Sequence, residues 1–259
     1  MDIIENISIG VYICESFKSN CDTLKKTFLK YFKNYLFLGS KEDLSFPCYT
    51  HEKVEGDDYN SATSKKFLSL KKQFELHNNC DWFYVGGFDI FLHPQNIKNL
   101  LDNYNSKEPL YIGGHQDYRI IENERICFCS GGPGFFLSKK LLEIIYPYLE
   151  SYIDRWKNPN LHSTHVTYVG CDVALAYFLK KDFNIKPTLR PGFYHFNYTE
   201  YLHANKNSYP EGYHLHYELI SHPIAFHNIK NITALEDIYN RAVSGEIPFD
   251  KCEKLSIIE

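Results

Sequence analysis

Three short apolar runs alternate with stretches of helical period through the first third of the chain, and this rhythm rules out most architectures. ISIGVYIC (residues 7–14), LFLG (36–39) and DWFYV (81–85) are branched or aromatic and bounded by polar residues, as buried strands are. SNCDTLKKTFLKYFKNY carries Leu24, Phe28, Tyr31, Phe32 and Tyr35 at helical spacing, with Ser19 placed to cap it. The polar loop 40–60 leads to a second helix, SATSKKFLSLKKQFELHNN, which opens at Ser61. Strand, helix, strand, helix, strand requires crossover connections, and these build a parallel sheet covered by helices. A chain of 259 residues that is 44% hydrophobic can bury one large core. No linker, repeat or shift in composition divides it. The expected fold class is α/β, one domain over residues 1–259, with a mostly parallel central sheet flanked by helices.

The second half continues the pattern with longer insertions. Pro94 sits at a first helical turn ahead of QNIKNLLDNY. EPLYIGG and ERICFCSGG read as strands around a turn. A glycine-rich loop then runs into a helix capped at Ser138, and residues 154–169 are irregular. CDVALAYFLKKD is a helix with Asp172 in its first turn. Residues 182–222 form an aromatic, histidine-rich loop region. PIAFHNI is a last short strand, and TALEDIYNRAVSG a final helix capped by Thr233 and stopped near Gly245.

Charge and composition exclude several roles. The net charge is −4 and lysines and arginines are scattered, so a nucleic-acid partner is not expected. No run reaches the length of a membrane span. The N-terminus MDIIENISIGVYICES is acidic where a signal peptide is basic, and reads as the first strand. Eight cysteines without a CxxC pair argue against structural zinc. Sequons at Asn6, Asn197 and Asn231 matter only in a secretory lumen. The 21 tyrosines and 19 phenylalanines serve core packing first, and stacking on a sugar or base second.

Four features carry candidate chemistry. Asp89 follows a buried strand, where ligands of parallel sheets gather, with Gly86 and Gly87 permitting close approach. It is either a ligand for a divalent ion or a turn-capping acid. Asp172 opens a helix; it is either a proton acceptor held in a cleft or an ordinary first-turn acid. Gly131, Gly132 and Gly134 either expose backbone N–H groups to a ligand or make a tight turn; they match neither a Walker loop nor GxGxxG. His227 closes a short strand, and His195, His203, His214, His216 and His222 share the late region; one or two of these six can be metal ligands, and ordinary hydrogen bonding is the plainer reading for the rest. Lys65 and Lys66 open a helix; one can reach a phosphate, although a solvated face is the plainer reading.

Taken in order, YNSATSKKFLSLKKQFELHNNCDWFYV, GFDIFL, EPLYIGG, CSGGPGFFLSKKLL, GCDVALAYFL and IAFHNI resemble the Fringe and core 1 galactosyltransferase group of inverting β-1,3-glycosyltransferases, over about residues 7–230. The resemblance implies a single Rossmann-like nucleotide-diphospho-sugar transferase (GT-A) domain, a UDP-sugar donor, manganese and a glycan or glycoprotein acceptor. It also implies work in the Golgi lumen. It assigns Asp89 and His227 to the metal and Asp172 to the catalytic base. It places Lys65, Lys66, Gly87, Phe88, Asp89, Gly131, Gly132 and Gly134 around the donor. Gly87 and Phe88 stand where the family's acidic triplet has its first two acids, and Cys171 where its helix-opening pair has the first. Three readings follow: a metal-assisted transferase, a non-catalytic glycan- or protein-binding relative, and a transferase that balances the phosphates with Lys65, Lys66 or a histidine.

Overall fold

The computed structural model describes residues 2–43, 45–157, 170–199 and 223–247. His203, His214, His216 and His222 lie outside the described residues. A seven-stranded sheet forms the centre, in the order β10-β6-β9-β4-β1-β2-β3. Its strands are β1 (Ile4–Tyr12), β2 (Phe32–Leu38), β3 (Cys48–Tyr49), β4 (Trp82–Gly87), β6 (Tyr111–Gly113), β9 (Phe135–Ser138) and β10 (Thr188–Leu189). All neighbours run parallel except β9, which is antiparallel to both β4 and β6. The sheet is therefore mixed. All six residues of β4 are buried, as a strand covered on both faces requires.

Two hydrophobic clusters cover the two faces. One gathers residues of α1 (Asn20–Lys26), α3 (Pro94–Leu101) and the helix Ile232–Val243. The other holds residues of α2 (Ala62–Leu76), α4 (Lys139–Ile145), α5 (Leu149–Trp156) and α6 (Cys171–Phe183). A hairpin of β7 (His115–Ile121) and β8 (Glu124–Cys129) turns at Glu122 and Asn123, both at positive φ. A small sheet of β11 (Phe193–Tyr194), β12 (Ala225–Phe226) and β5 (Phe91–Leu92) stands beside the main one. No described helix is long and apolar enough to cross a membrane.

Several local expectations change. The helical stretch after Ser19 ends at Lys26, and Phe32–Tyr35 begin β2 instead, because pairing with β1 (Ser8↔Asn34, Ile9↔Tyr35) outweighs their helical spacing. Neither Ser19 nor Ser61 makes a side-chain cap; Asp58 accepts from the Asn60 and Ser61 N–H groups just before α2. Asn231, not Thr233, caps the last helix by accepting the Thr233 N–H. Between the glycine loop and the helix capped by Ser138 stands an additional strand, β9.

Candidate active site

The small sheet brings together residues far apart in sequence. In the antiparallel β5–β12 pair, Phe91 faces Phe226 and Leu92 faces Ala225. Asp89 precedes β5 and His227 follows β12, so the register sets them side by side, and the Ile229 N–H donates to the Asp89 carbonyl at 3.0 Å. Asp89 Oδ2 lies 3.5 Å from His227 Nε2. On the other side of β12, β11 runs parallel with Tyr194 opposite Phe226, which places His195 beside His227. The His195 carbonyl is 3.0 Å from His227 Nδ1. A carbonyl only accepts, so Nδ1 carries the proton. Nε2 is therefore the ring atom that faces Asp89: it donates to the carboxylate when it carries a proton, and without one it offers a lone pair that a divalent ion between the two side chains can take.

Asp89 is 9% exposed. Burial pushes its carboxyl up, but the hydrogen bond and charge of His227, helped by Lys230, hold it below the usual carboxylate range. Two ligands bonded at about 2.1 Å to one ion stand roughly 3.0–3.5 Å apart, so the Asp89–His227 pair fits a shared divalent cation. Among the described residues no group of three or more metal-ligating side chains exists. An ion held here would complete its coordination with ligand oxygens and water.

The glycine loop joins this pair to Asp172. The Gly131 N–H donates to Asp172 Oδ2 at 2.8 Å, and the Val173 N–H to Oδ1 at 2.9 Å. A methyl group on Gly131 would stand 2.8 Å from Asp172 Oδ2, and one on Gly132 2.8 Å from His227 Nδ1. Two consecutive residues thus press against the acid and the imidazole, and only hydrogen fits at either. Gly134 has φ +71° and is packed against the Tyr84 hydroxyl, which itself donates to the Pro133 carbonyl at 2.7 Å. The loop is fixed in place from below.

Other expected site residues take different positions. Lys65 is buried and ion-paired to Asp57 at 2.7 Å, and Asp57 also accepts the Glu15 N–H. Lys66 is fully buried, so neither lysine lies on a solvated face. Phe88 stacks on Phe17 with ring centroids 4.2 Å apart. Gly87 adjoins both Asp89 and the Tyr12 ring. Cys171 is buried, and all described cysteines are free thiols.

Two further residues, which the sequence reading did not single out, feel the charges of Asp89 and Asp172. Tyr12 ends β1 beside the carboxyl end of β4; burial pushes its phenol well up, and the charges of Cys171, Asp89 and Asp172 add to that. Its place at a strand end was a usable signal. Tyr59 is 71% exposed at the rim, yet partial burial and the charges of Cys171, Asp172 and Asp89 raise its pKa. It opens a single 3-10 turn, Tyr59–Ser61, that runs into α2 and is too short to show a period.

A Fringe-like family model matches residues 3–244. Human chondroitin sulfate synthase 3 is 26% identical over 100 residues, 36% of this chain and 11% of that protein. A glycoprotein-N-acetylgalactosamine 3-beta-galactosyltransferase 1 from Xenopus laevis is 25% identical over 125 residues, 48% of this chain and 33% of that protein. The chain therefore spans a third or less of the length of these relatives. The crystal structure of a glycosyltransferase involved in glycosylation of the major capsid of PBCV-1 superimposes with a TM-score of 0.51 at 11% identity, covering 90% of this chain and 98% of that one. That likeness concerns the fold, a mixed and mostly parallel sheet flanked by helices. With the family model spanning nearly the whole sheet and both clusters, the chain belongs to the Fringe-like glycosyltransferase family.

Proposed function

We propose that this domain transfers a sugar from a UDP-sugar to a hydroxyl of a glycan or glycoprotein acceptor, with inversion and in β-1,3 linkage. The observation that carries the reading is the single loop whose adjacent glycines touch Asp172 on one side and His227, 3.5 Å from Asp89, on the other. A base and a phosphate-side ion site that share one wall suit a displacement in which attack and departure occur on opposite faces of one carbon.

In this mechanism the donor lies over the carboxyl ends of β1 and β4. Asp89 and His227 would hold a divalent cation, manganese in the family pattern, which when bound neutralises charge on the leaving diphosphate. Asp172 does the proton work. Two backbone N–H groups fix its carboxylate, and each oxygen keeps a lone pair free for the acceptor. The acceptor hydroxyl gives its proton to Asp172 as its oxygen bonds to the anomeric carbon. The bond from that carbon to the phosphate oxygen breaks, and its electron pair leaves on UDP. Tyr59 at the rim offers a ring face to the base or a sugar.

The second reading, a relative that binds a glycan or a protein without turnover, draws on Phe88. Its ring is committed to stacking on Phe17, so this position of the former acidic triplet serves packing. Calorimetric titration of UDP with and without manganese, on the parent and on Asp89→Ala, separates the two. Manganese-enhanced binding that Asp89→Ala abolishes supports the transferase. Absence of UDP binding in both conditions makes the binding module the better account.

A further inference from the structure

Lys66 is fully buried, and among the described residues its Nζ has no oxygen acceptor; its one polar neighbour is the Cys171 thiol. Its neighbour Lys65 is neutralised by Asp57 at 2.7 Å, so the two adjacent lysines have opposite electrostatic situations. The Lys66 ammonium lies 4.6 Å from the Phe135 ring centroid and 5.5 Å from that of Tyr12. Ring faces return only part of what a cation loses on leaving water. Burial pushes the Cys171 thiol up in pKa, the charge of Asp172 adds to that, and the charge and hydrogen bond of Lys66 pull the other way. Among the described residues no carboxylate is ion-paired with this cation.

The location gives that charge a use. The Tyr12 ring is 3.6 Å from the point where a Gly87 methyl would stand, and that point is 3.1 Å from Asp89 Oδ1. Phe135, the other ring, directly follows the loop that touches Asp172 and His227. One aromatic layer therefore separates the ammonium from the cleft floor. Rings have no mobile dipoles to screen a charge as water does, so a cation on the order of 10 Å away still acts on a phosphate. Gly87, Phe88 and Cys171 contribute no carboxylate to oppose it; of the two acids nearby, Asp172 is held by two backbone N–H groups and Asp89 lies beside His227 and Lys230.

We propose that Lys66 is a fixed counter-charge for the diphosphate of the donor, so that the cleft holds UDP even without a divalent ion. The inference rests on the reading of the cleft as a donor site and alters what that site requires. Lys66 touches neither donor nor acceptor; it acts through space, from beneath the floor.

The test is calorimetric titration of UDP and of uridine in the presence of chelator, on the parent, Lys66→Met and Lys66→Gln. The parent is expected to bind UDP under chelation. Lys66→Met is expected to weaken UDP about tenfold, leave uridine unchanged, and raise the melting temperature, because it removes a buried charge that no carboxylate balances. Should Lys66→Met fail to fold, Lys66→Gln gives the same readout by removing the charge while keeping a polar side chain: UDP weakens and uridine does not. Unchanged UDP affinity in the folded variants overturns the proposal, as does equal weakening of UDP and uridine. Parent binding that strictly requires manganese overturns it while leaving the donor-site reading intact. No UDP binding with or without manganese overturns both.

Discussion

Gly131 donates its backbone N–H to Asp172 at 2.8 Å, while the next residue, Gly132, is packed against His227. Neighbouring positions in one loop therefore control two different groups. Gly131→Ala would displace the Asp172 carboxylate and is expected to lower kcat by ten- to a hundredfold with little change in UDP affinity. Gly132→Ala would displace the His227 imidazole and is expected to reduce the manganese enhancement of UDP binding instead. Steady-state kinetics and calorimetry on the two variants read this split; identical behaviour of both would count against it.

Asp172→Asn keeps the shape but cannot take a proton, and its single carbonyl oxygen can accept only one of the two backbone N–H groups that the carboxylate binds. Transfer is expected to fall by about a thousandfold, within the range for a lost general base, with donor affinity retained. Single-turnover transfer from the UDP-sugar to an acceptor, alongside UDP titration, checks it. Wild-type rates from the Asn variant would remove Asp172 from the mechanism.

His93 predicts an acid weakness of the fold. It is buried at the head of α3, and its Nδ1 accepts the Asn96 N–H, a role open only to the neutral ring. Burial lowers its pKa to about 4 from the usual 6.5. The unfolded chain thus takes up a proton that the folded one refuses, so this contribution is intact above about pH 6.5 and is lost as pH falls toward 4. Denaturant unfolding should show stability declining by about 3 kcal/mol across that window. His93→Asn keeps a capping oxygen without a titrating ring and should flatten the decline.

Tyr59 is exposed enough that its removal leaves the core alone. Tyr59→Ala is expected to weaken donor or acceptor binding several-fold, by about 1 kcal/mol for a lost stacking contact, with the melting temperature unchanged. Paired KM and thermal-melt measurements decide it, and an unaltered KM for both substrates would place the ring outside the site.

The sequence carried the large pattern because that pattern is periodic. β1, β4 and α6 bury continuous apolar runs or faces, which survive in a single sequence as β-branched and helical spacing. β9 was hidden because FFLS is only four residues long and adjoins a capped helix, so local spacing favoured the helix. Phe32–Tyr35 misled for a related reason: their pairing partner in β1 is more than twenty residues away. Asp89, Asp172 and His227 were legible through the order of motifs. Their nearness was not, since it depends on the two-residue pairings of β5, β11 and β12, which leave no periodic trace. The isolation of Lys66 likewise emerges only when Tyr12, Phe135 and Cys171 close around it.

The reversed direction of β9 has a consequence for how such a domain diversifies. The chain enters β9 from the same edge at which β4 and β6 finish, so residues 130–134 arrive at the cleft on the way in. The β7–β8 hairpin is thereby a detour that departs and returns at one rim of the sheet. Lengthening or trimming that detour would reshape one rim of the cleft at the ends of β4 and β6 while the pairing of those strands with β9 stayed as it is.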